Sequence, residues 1–241
     1  MAGPHVMTTS QTQLRNLTLP VRLAASCSWL GSCTVPRWMA VGNPPVRDYP
    51  VDMWIRRIQD ALQEQRKPAA VEGPIASLAA VSLLLFDDSL LFIQRSVTPN
   101  DPWSGHMAFP GGRMDATDSD LEETARREVM EEIGVDLSGA TLLGVLSDVE
   151  TPPNVPRICV TPYVYALAQA PVFVLDTAEV AAVHWYGVDG LVRGDGRGDF
   201  PYQHEGTSFR LPCIEEGERR VWGMTLRIVD DLLAQLGIVH P

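Results

Sequence analysis

Residues 109–135 read FPGGRMDATDSDLEETARREVMEEIGV, and this stretch decides the fold predicted for the chain. A glycine pair leads through an Asp-rich turn into a segment with helical periodicity. Ser119, followed three residues later by Glu122, is a capping-box pattern, so we expect a helix to begin near residue 119 or 120. Gly134 is a typical helix stop. The stretch therefore predicts a glycine turn followed by one short helix.

Three glutamates near the end of this helix predict a cation site. At about 100° per residue, Glu128 and Glu132 share nearly one azimuth with the apolar positions of the first turns, so their carboxylates point toward the protein. Glu131 borders the same patch, and Arg127 is placed to hold it at i+4. An acidic run is usually a solvated surface. Here the inward azimuth and the neighbouring glycines favour Mg²⁺ or Mn²⁺ instead, because oxygen ligands suit these ions better than zinc.

The stretch resembles the signature of the Nudix hydrolase family. Gly112 stands at the first glycine of that signature, and residues 127–135, REVMEEIGV, match its second half at every specified position. The first half departs from the pattern, since Asp118 stands in place of a glutamate and eight residues rather than seven separate it from Arg127. This longer form, preceded by FPGG, resembles the branch that includes the coenzyme A diphosphatases.

Other parts of the chain are similar to the same branch. Residues 91–96, LFIQRS, and 105–112, GHMAFPGG, resemble its LLTxRS and GxxxFPGG patterns, and residues 221–233, VWGMTLRIVDDLL, resemble its closing helix. Residues 97–104 depart from the branch because they contain no basic residue. An arginine there would suit the extra phosphate of coenzyme A, so the substrate stays open within the family.

The resemblance implies an α/β fold, the Nudix-type α/β/α sandwich with a mixed β-sheet. The implied activity is that of a divalent-metal-dependent diphosphatase, a hydrolase acting on acid anhydrides, which cleaves the phosphoanhydride of coenzyme A or acyl-coenzyme A. One alternative is a Nudix pyrophosphohydrolase acting on another nucleoside diphosphate derivative, such as a dinucleotide, ADP-ribose, a nucleotide sugar or a nucleoside triphosphate. The other is an inactive Nudix-fold binding module, against which the intact REVMEEIGV run argues.

The resemblance also implies roles for individual residues. A Mg²⁺ or Mn²⁺ ion offsets charge on the diphosphate oxygens while water attacks phosphorus. Arg127 holds the glutamates in place, and either Glu131 or Glu150 serves as the general base. The expected metal ligands are Glu128, Glu132, Glu131 and the carbonyl of Gly112. The expected substrate contacts are Arg95, Ser96, Gly111 and Gly112, with Arg95 the first candidate for a phosphate.

Hydrophobic periodicity predicts the remaining elements. Helices are expected over residues 51–62 and in the closing stretch to about residue 236, and strands over 76–86, 89–95, 141–149, parts of 155–168 and 180–186. Residues 187–210, rich in Gly, Asp and Arg, are predicted to form an irregular loop. We expect one Nudix domain over residues 49–241, preceded by an N-terminal extension over residues 1–48.

Composition restricts the partners and the compartment. The net charge of −11 argues against a broad nucleic-acid surface. The four cysteines form no CxxC pair, so a reducing cytoplasm is the simplest setting, and no apolar run is long enough for a membrane span. The expected partner is a small nucleotide diphosphate, and a homodimer is an open expectation.

The first 47 residues contain four arginines but no Asp or Glu. This bias is typical of a mitochondrial transit peptide, which would make the protein mitochondrial. The same composition is equally typical of a disordered leader. It is also compatible with upstream sequence translated ahead of a later true start, such as Met39 or Met53. The three interpretations stay open.

Overall fold

A computed structural model describes residues 53–63, 77–99, 103–151, 156–204 and 206–240 of the chain. The extension expected at residues 1–48 lies outside the described residues, so its role stays a prediction. Within the described ranges, no helix is long and apolar enough to cross a membrane.

A β-hairpin forms the centre of the fold. Its strands are β1 (Ser77–Phe86) and β2 (Ser89–Arg95), as the apolar runs predicted. Asp87 and Asp88 connect them with φ values of 46° and 54°, the left-handed conformation that a tight two-residue hairpin turn requires. The carboxylate of Asp88 also accepts a hydrogen bond from the backbone N–H of Trp54 at 2.9 Å. The turn thereby anchors the first residues of helix α1 (Met53–Gln63).

The hairpin belongs to an eight-stranded mixed sheet. Its other strands are β3 (Met107–Ala108), β4 (Gly111–Arg113), β5 (Thr141–Val145), β6 (Val149–Glu150), β7 (Ile158–Ala166) and β8 (Val180–Gly187). The main path of the sheet runs β3-β2-β1-β7-β5. β4 pairs with β1, β6 with β7, and β8 with β2. The pair β1 and β7 is parallel, and the other pairs in this sheet are antiparallel.

Helices cover both faces of this sheet, which confirms the predicted α/β/α sandwich. Helix α2 (Leu121–Ile133) packs on one face, where Leu84 of β1 is buried with Val129 and Ile133. Helix α1 and the closing helix α4 (Gly223–Gln235) pack on the other face, against Leu83 and Leu85. Alternate residues of β1 therefore enter separate cores, as the period of two in a strand requires.

The prediction of an irregular loop over residues 187–210 is wrong. This region contains helix α3 (Val188–Arg193), strand β9 (Arg197–His204) and the start of β10 (Thr207–Glu216). With β11 (Arg219–Trp222), the two strands form a separate antiparallel sheet in the order β11-β10-β9. Much of β9 and β10 is exposed, so apolar alternation is weak, and the glycines mark turns between short elements rather than one continuous loop.

Candidate active site

Helix α2 begins at Leu121, directly after residues 119–120, where the sequence predicted its start. Asp120 is the N-cap, and its carboxylate accepts the backbone N–H of Glu123 at 2.9 Å. The Glu123 carboxylate in turn accepts the N–H of Ser119 at 2.7 Å. The reciprocal capping box predicted for Ser119 is therefore wrong by one residue, because the Asp120 carboxylate takes the capping position. Gly134 ends the helix as predicted, with a φ of 69°.

The glycine pair brings strand β4 into close contact with β1 and α2. A Cβ on Gly111 would lie 2.3 Å from the carbonyl oxygen of Ala80, so only glycine allows this approach. The N–H of Gly111 donates to Glu132 Oε2 at 3.0 Å. A Cβ on Gly112 would lie 2.4 to 2.8 Å from the carboxylate atoms of Glu128. Two carboxylates of α2 thus converge on the glycine turn.

Burial dominates the electrostatics of these two acids. Glu132 is 3% exposed, and burial raises its pKa to about 8, with the negative charges of Glu128 and Glu179 acting in the same direction. The Gly111 N–H and the positive charge of Arg95 oppose this shift of the Glu132 pKa. Burial also raises the pKa of Glu128. The protein's own groups therefore do not fully stabilise the negative charges of Glu128 and Glu132. A bound cation would supply the missing positive charge.

The residues at the turn fit a hard divalent cation held partly by water. Within the described ranges, no three acidic, His or Cys side chains are already gathered as metal ligands. Glu128 and Glu132 offer carboxylate oxygens, and the Gly112 carbonyl is an expected third oxygen donor. Since Mg²⁺ keeps several waters and binds through one or two carboxylates, this oxygen-only set suits Mg²⁺ or Mn²⁺.

Arg127 cross-links the acids around the site. Its Nε and Nη2 donate to the carboxylate of Asp118 at 2.9 and 3.0 Å, a side-on fork. Its Nη1 donates to Glu128 at 2.9 Å and to Glu131 at 2.8 Å, and its Nη2 also reaches the Arg113 carbonyl. The fork holds the pKa of Asp118 well below its ordinary value. The predicted contact between Arg127 and Glu131 is thus present, and it directs the Glu131 carboxylate to the arginine.

The structure does not bring Glu150 to the glycine turn. Glu150 lies on β6, and β7 and β1 separate this strand from β4, which amounts to about three strand spacings or roughly 14 Å. Both carboxylate oxygens of Glu150 accept hydrogen bonds from Arg157 at 2.7 Å. This pairing lowers the pKa of Glu150. Its ion pair and position therefore suit a structural role better than the general-base role expected from sequence.

Glu179 is an acid of this region that the sequence analysis missed. The segment before β8 crosses the C-terminal end of α2, where the Asp176 N–H donates to the Glu132 carbonyl at 3.0 Å. Glu179 follows shortly after, and its carbonyl accepts the N–H of Ser96 at 2.8 Å. Its charge raises the pKa of both Glu128 and Glu132. Glu179 belongs to no sequence motif. Its position directly before a predicted strand was the one signal in the sequence that could have identified it as a site residue.

Arg95 and Ser96 lie beside the same segment. A register irregularity between Gln94 and Arg95 interrupts the pairing of β2 with β8, a distortion that can re-aim a side chain. The positive charge of Arg95 offsets a small part of the rise in the pKa of Glu132, so the guanidinium acts on this carboxylate. The Ser96 hydroxyl donates to the Thr177 carbonyl at 2.9 Å. Ser96 thus braces the segment that carries Glu179.

Comparisons with known proteins indicate one family. The family model described as the NUDIX domain matches residues 76–203. An uncharacterised protein of Schizosaccharomyces pombe is 37% identical over 108 residues, which cover 43% of this chain but only 33% of that protein. The Nudix hydrolase NudL of Citrobacter koseri, itself uncharacterised, is 29% identical over 173 residues, covering 72% of this chain and 84% of that protein.

Solved structures show a more distant likeness. The MutT Nudix hydrolase of Burkholderia pseudomallei is 23% identical, with a TM-score of 0.37 over 47% of this chain and 84% of that chain.

Proposed function

Since this chain belongs to the Nudix family of pyrophosphohydrolases, we propose that it is a divalent-metal-dependent diphosphatase that hydrolyses the phosphoanhydride of coenzyme A or an acyl-coenzyme A. One observation carries the metal-dependent part of the proposal. The carboxylates of Glu128 and Glu132 meet at a turn that only glycines can form, and burial has raised the pKa of each. Such a pair gains most from a divalent ion.

The chain's own residues then have distinct roles. Glu128, Glu132 and the Gly112 carbonyl would hold Mg²⁺ or Mn²⁺, with Glu131 available through water. When bound, the ion supplies positive charge that stabilises the phosphoryl oxygens in the transition state. Arg127 keeps the carboxylate of Glu128 oriented toward the turn through its fork on Asp118. Since phosphoryl transfer depends mainly on positioning and charge, these contacts would contribute a large part of the catalysis.

Glu179 is our candidate for the general base. It lies on the segment before β8, outside α2, and its charge acts on both carboxylates of the pair, so we assign it the role of accepting a proton from the attacking water. Glu131 already accepts a hydrogen bond from Arg127, and Glu150 is held by Arg157. Neither has a carboxylate as available at the turn. Arg95, whose charge acts on Glu132, is the candidate contact for a substrate phosphate.

The choice of coenzyme A depends on sequence similarity outside the helix. LFIQRS, GHMAFPGG and VWGMTL resemble the coenzyme A branch, and the first two of these stretches contain Arg95 and the glycine pair, respectively. A second candidate substrate class is another nucleoside diphosphate derivative, such as a dinucleotide or ADP-ribose. The absence of a basic residue from positions 97–104 favours keeping this candidate, because the 3′-phosphate of coenzyme A would then lack its expected partner there.

A substrate panel tests the proposal. The full chain is incubated with Mg²⁺ and coenzyme A, 3′-dephospho-coenzyme A, NADH, ADP-ribose or nucleoside triphosphates, and the products are separated by mass. The proposal predicts 3′,5′-ADP and 4′-phosphopantetheine from coenzyme A, formed only when the metal is present. Faster cleavage of another diphosphate would transfer the assignment to that substrate. No product from any member would favour a binding module.

A further inference from the structure

We infer that Thr124 is a positioning residue for the proposed reaction, acting through Asp118 and Arg127 on the carboxylate of Glu128. This inference deepens the proposed function and rests on it, because it assigns to one uncharged side chain the orientation of the arginine that holds Glu128. Thr124 lies in the first turn of α2 and is fully buried. A buried hydroxyl costs free energy unless it makes a hydrogen bond, so its partner shows what it stabilises.

The Thr124 hydroxyl lies near two acceptors but has one proton to donate. It is 2.9 Å from Asp118 Oδ2 and 3.2 Å from the carbonyl oxygen of Asp120. The second contact is the local bond to residue i−4 that threonines often make in helices. However, the Asp120 carbonyl already accepts the backbone N–H of Thr124 at 3.2 Å. Since the Asp118 carboxylate is closer and charged, it is the stronger acceptor and takes the hydroxyl proton.

Hydrogen bonds, rather than a rotamer preference, fix the carboxylate plane of Asp118. The second side-chain torsion of an aspartate is broad, so its partners decide how the two oxygens are turned. Oδ1 accepts Arg127 Nε at 2.9 Å. Oδ2 accepts Arg127 Nη2 at 3.0 Å and the backbone N–H of Asp115 at 2.9 Å, in addition to the Thr124 hydroxyl. Oδ2 is thus held both from α2 and from the turn that precedes it.

The plane of the Asp118 carboxylate sets the plane of the Arg127 guanidinium. A guanidinium is flat and rigid, so a two-bond fork on one carboxylate determines where its third nitrogen points. In this orientation Arg127 Nη1 donates to Glu128 Oε1 at 2.9 Å. The Glu128 carboxylate in turn lies against Gly112. A change at Thr124 therefore reaches the glycine turn through two hydrogen-bonded side chains, although it removes no charge.

Helix α2 does not depend on this hydroxyl for its cap. Asp120 is the N-cap, and its carboxylate accepts the N–H of Glu123 at 2.9 Å. Without the hydroxyl, Asp118 Oδ2 keeps its bonds from Asp115 and Arg127, so it is not left unsatisfied. Valine has nearly the shape of threonine, and Thr124→Val should therefore remain folded, as circular dichroism and urea unfolding would show. The expected effect of this variant is on orientation.

The NMR resonance of the Arg127 Nε–H tests the inference in the full chain without metal or substrate. Its signal is identified by its loss in Arg127→Lys. Thr124→Val should shift this resonance, and Thr124→Ser, which keeps the hydroxyl, should leave it near its wild-type position. Calorimetric titration should show about 10-fold weaker Mn²⁺ binding by Thr124→Val, the lower end of what loss of a ligand-orienting partner causes. Thr124→Ser should retain most of the Mn²⁺ affinity.

Kinetics separate positioning from substrate binding. With whichever member of the substrate panel is cleaved, Thr124→Val should lower kcat about 10-fold with little change in KM. If Thr124 acts through Arg127, the double variant Thr124→Val/Arg127→Lys should be no slower than Arg127→Lys alone, because residues in one chain of contacts are not additive. Losses that multiply in the double variant would overturn the inference.

Thr161→Val is the matched control, because the Thr161 hydroxyl on β7 donates to the carboxylate of Asp148 at 2.7 Å. It removes a threonine–aspartate contact at another aspartate and should leave the Arg127 resonance and the Mn²⁺ affinity unchanged. An unchanged Arg127 resonance in Thr124→Val would overturn the inference, and so would equal effects of Thr124→Val and Thr124→Ser. A wild type that binds no Mn²⁺ and cleaves no panel member would instead contradict the proposed function. The resonance would still decide this inference, so the two proposals fail separately.

Discussion

The carboxylate of Glu132 accepts a hydrogen bond from the backbone N–H of Gly111 at 3.0 Å, which fixes a 3% exposed acid of α2 on the glycine turn. One N–H is a small compensation for a carboxylate removed from water. Burial therefore outweighs this hydrogen bond and raises the pKa of Glu132 to about 8. The position of Glu132 thus weakens the metal-free fold and prepares it for a cation.

The metal-free protein should lose stability as pH rises, because of Glu132. Its pKa in the folded state, about 8, lies above the ordinary value of 4.5, so the folded protein binds the proton more tightly. The stabilising effect of that proton is fully present below about pH 4.5 and is lost as pH rises toward 8. Urea unfolding in chelator at about pH 5 and about pH 8 measures this loss, expected to be on the order of a few kcal/mol. Glu132→Gln should remove most of the pH dependence and leave the smaller part that the raised pKa of Glu128 contributes, and a variant that kept all of it would contradict the assignment.

Gly112→Ala should displace the Glu128 carboxylate, because the added Cβ would lie 2.4 to 2.8 Å from its atoms. We expect turnover to fall about 100-fold, as small displacements in an active site do. Calorimetric titration with Mn²⁺ should show weaker binding in the same variant. Gly139→Ala is the matched control, since a Cβ there would meet nothing within 4 Å. Full activity and Mn²⁺ affinity in Gly112→Ala would show that Glu128 is not needed at the turn.

Arg127→Lys should impair catalysis although the charge is kept. A lysine cannot reproduce the fork on Asp118 together with the contact to Glu128. We expect kcat to fall about 10- to 100-fold with little change in KM, because the loss is one of orientation. Arg126→Lys, which disrupts the two hydrogen bonds from Arg126 to one carboxylate oxygen of Glu122 on the same helix, is the control and should retain kcat. A higher KM with unchanged kcat would instead indicate that Arg127 binds substrate.

Glu179→Gln and Glu150→Gln separate the two candidates for the general base. The first should lower kcat by about 100-fold or more. The second should lower stability through the loss of the Arg157 pair but leave kcat within a few-fold. The opposite pattern would restore Glu150 as the base, and a large loss in neither variant would favour Glu131.

Local sequence patterns predicted much of the fold. Apolar runs located β1, β2 and β8, and helical periodicity located the three long helices, within a few residues. β1 and β2 are buried on both faces, so each reads as a nearly continuous apolar segment. The second sheet was missed because β9 and β10 bury little on either face. The cap of α2 shifted by one residue because Asp120 and Ser119 are both competent caps.

The site was predictable where its residues share one helix. The helical period alone places Glu128 and Glu132 on one face. The positions of Glu150 and Glu179 depend instead on sheet order and on how the segment before β8 crosses the end of α2, relationships that arise only in the folded chain. The Glu131 carboxylate is turned toward Arg127 because it accepts a hydrogen bond from the guanidinium. The i+4 spacing of these two residues was already visible in the sequence.

The most direct test of the account is the rate at which Glu132→Gln hydrolyses coenzyme A at saturating Mg²⁺, followed by mass detection of 4′-phosphopantetheine. Glu122→Gln, which carries the same change on the same helix, is the control. We predict that Glu132→Gln falls at least about 100-fold below the wild type, as loss of a metal-holding carboxylate should cause, while Glu122→Gln keeps the wild-type rate. Full turnover by Glu132→Gln would contradict the role of this carboxylate in holding the metal.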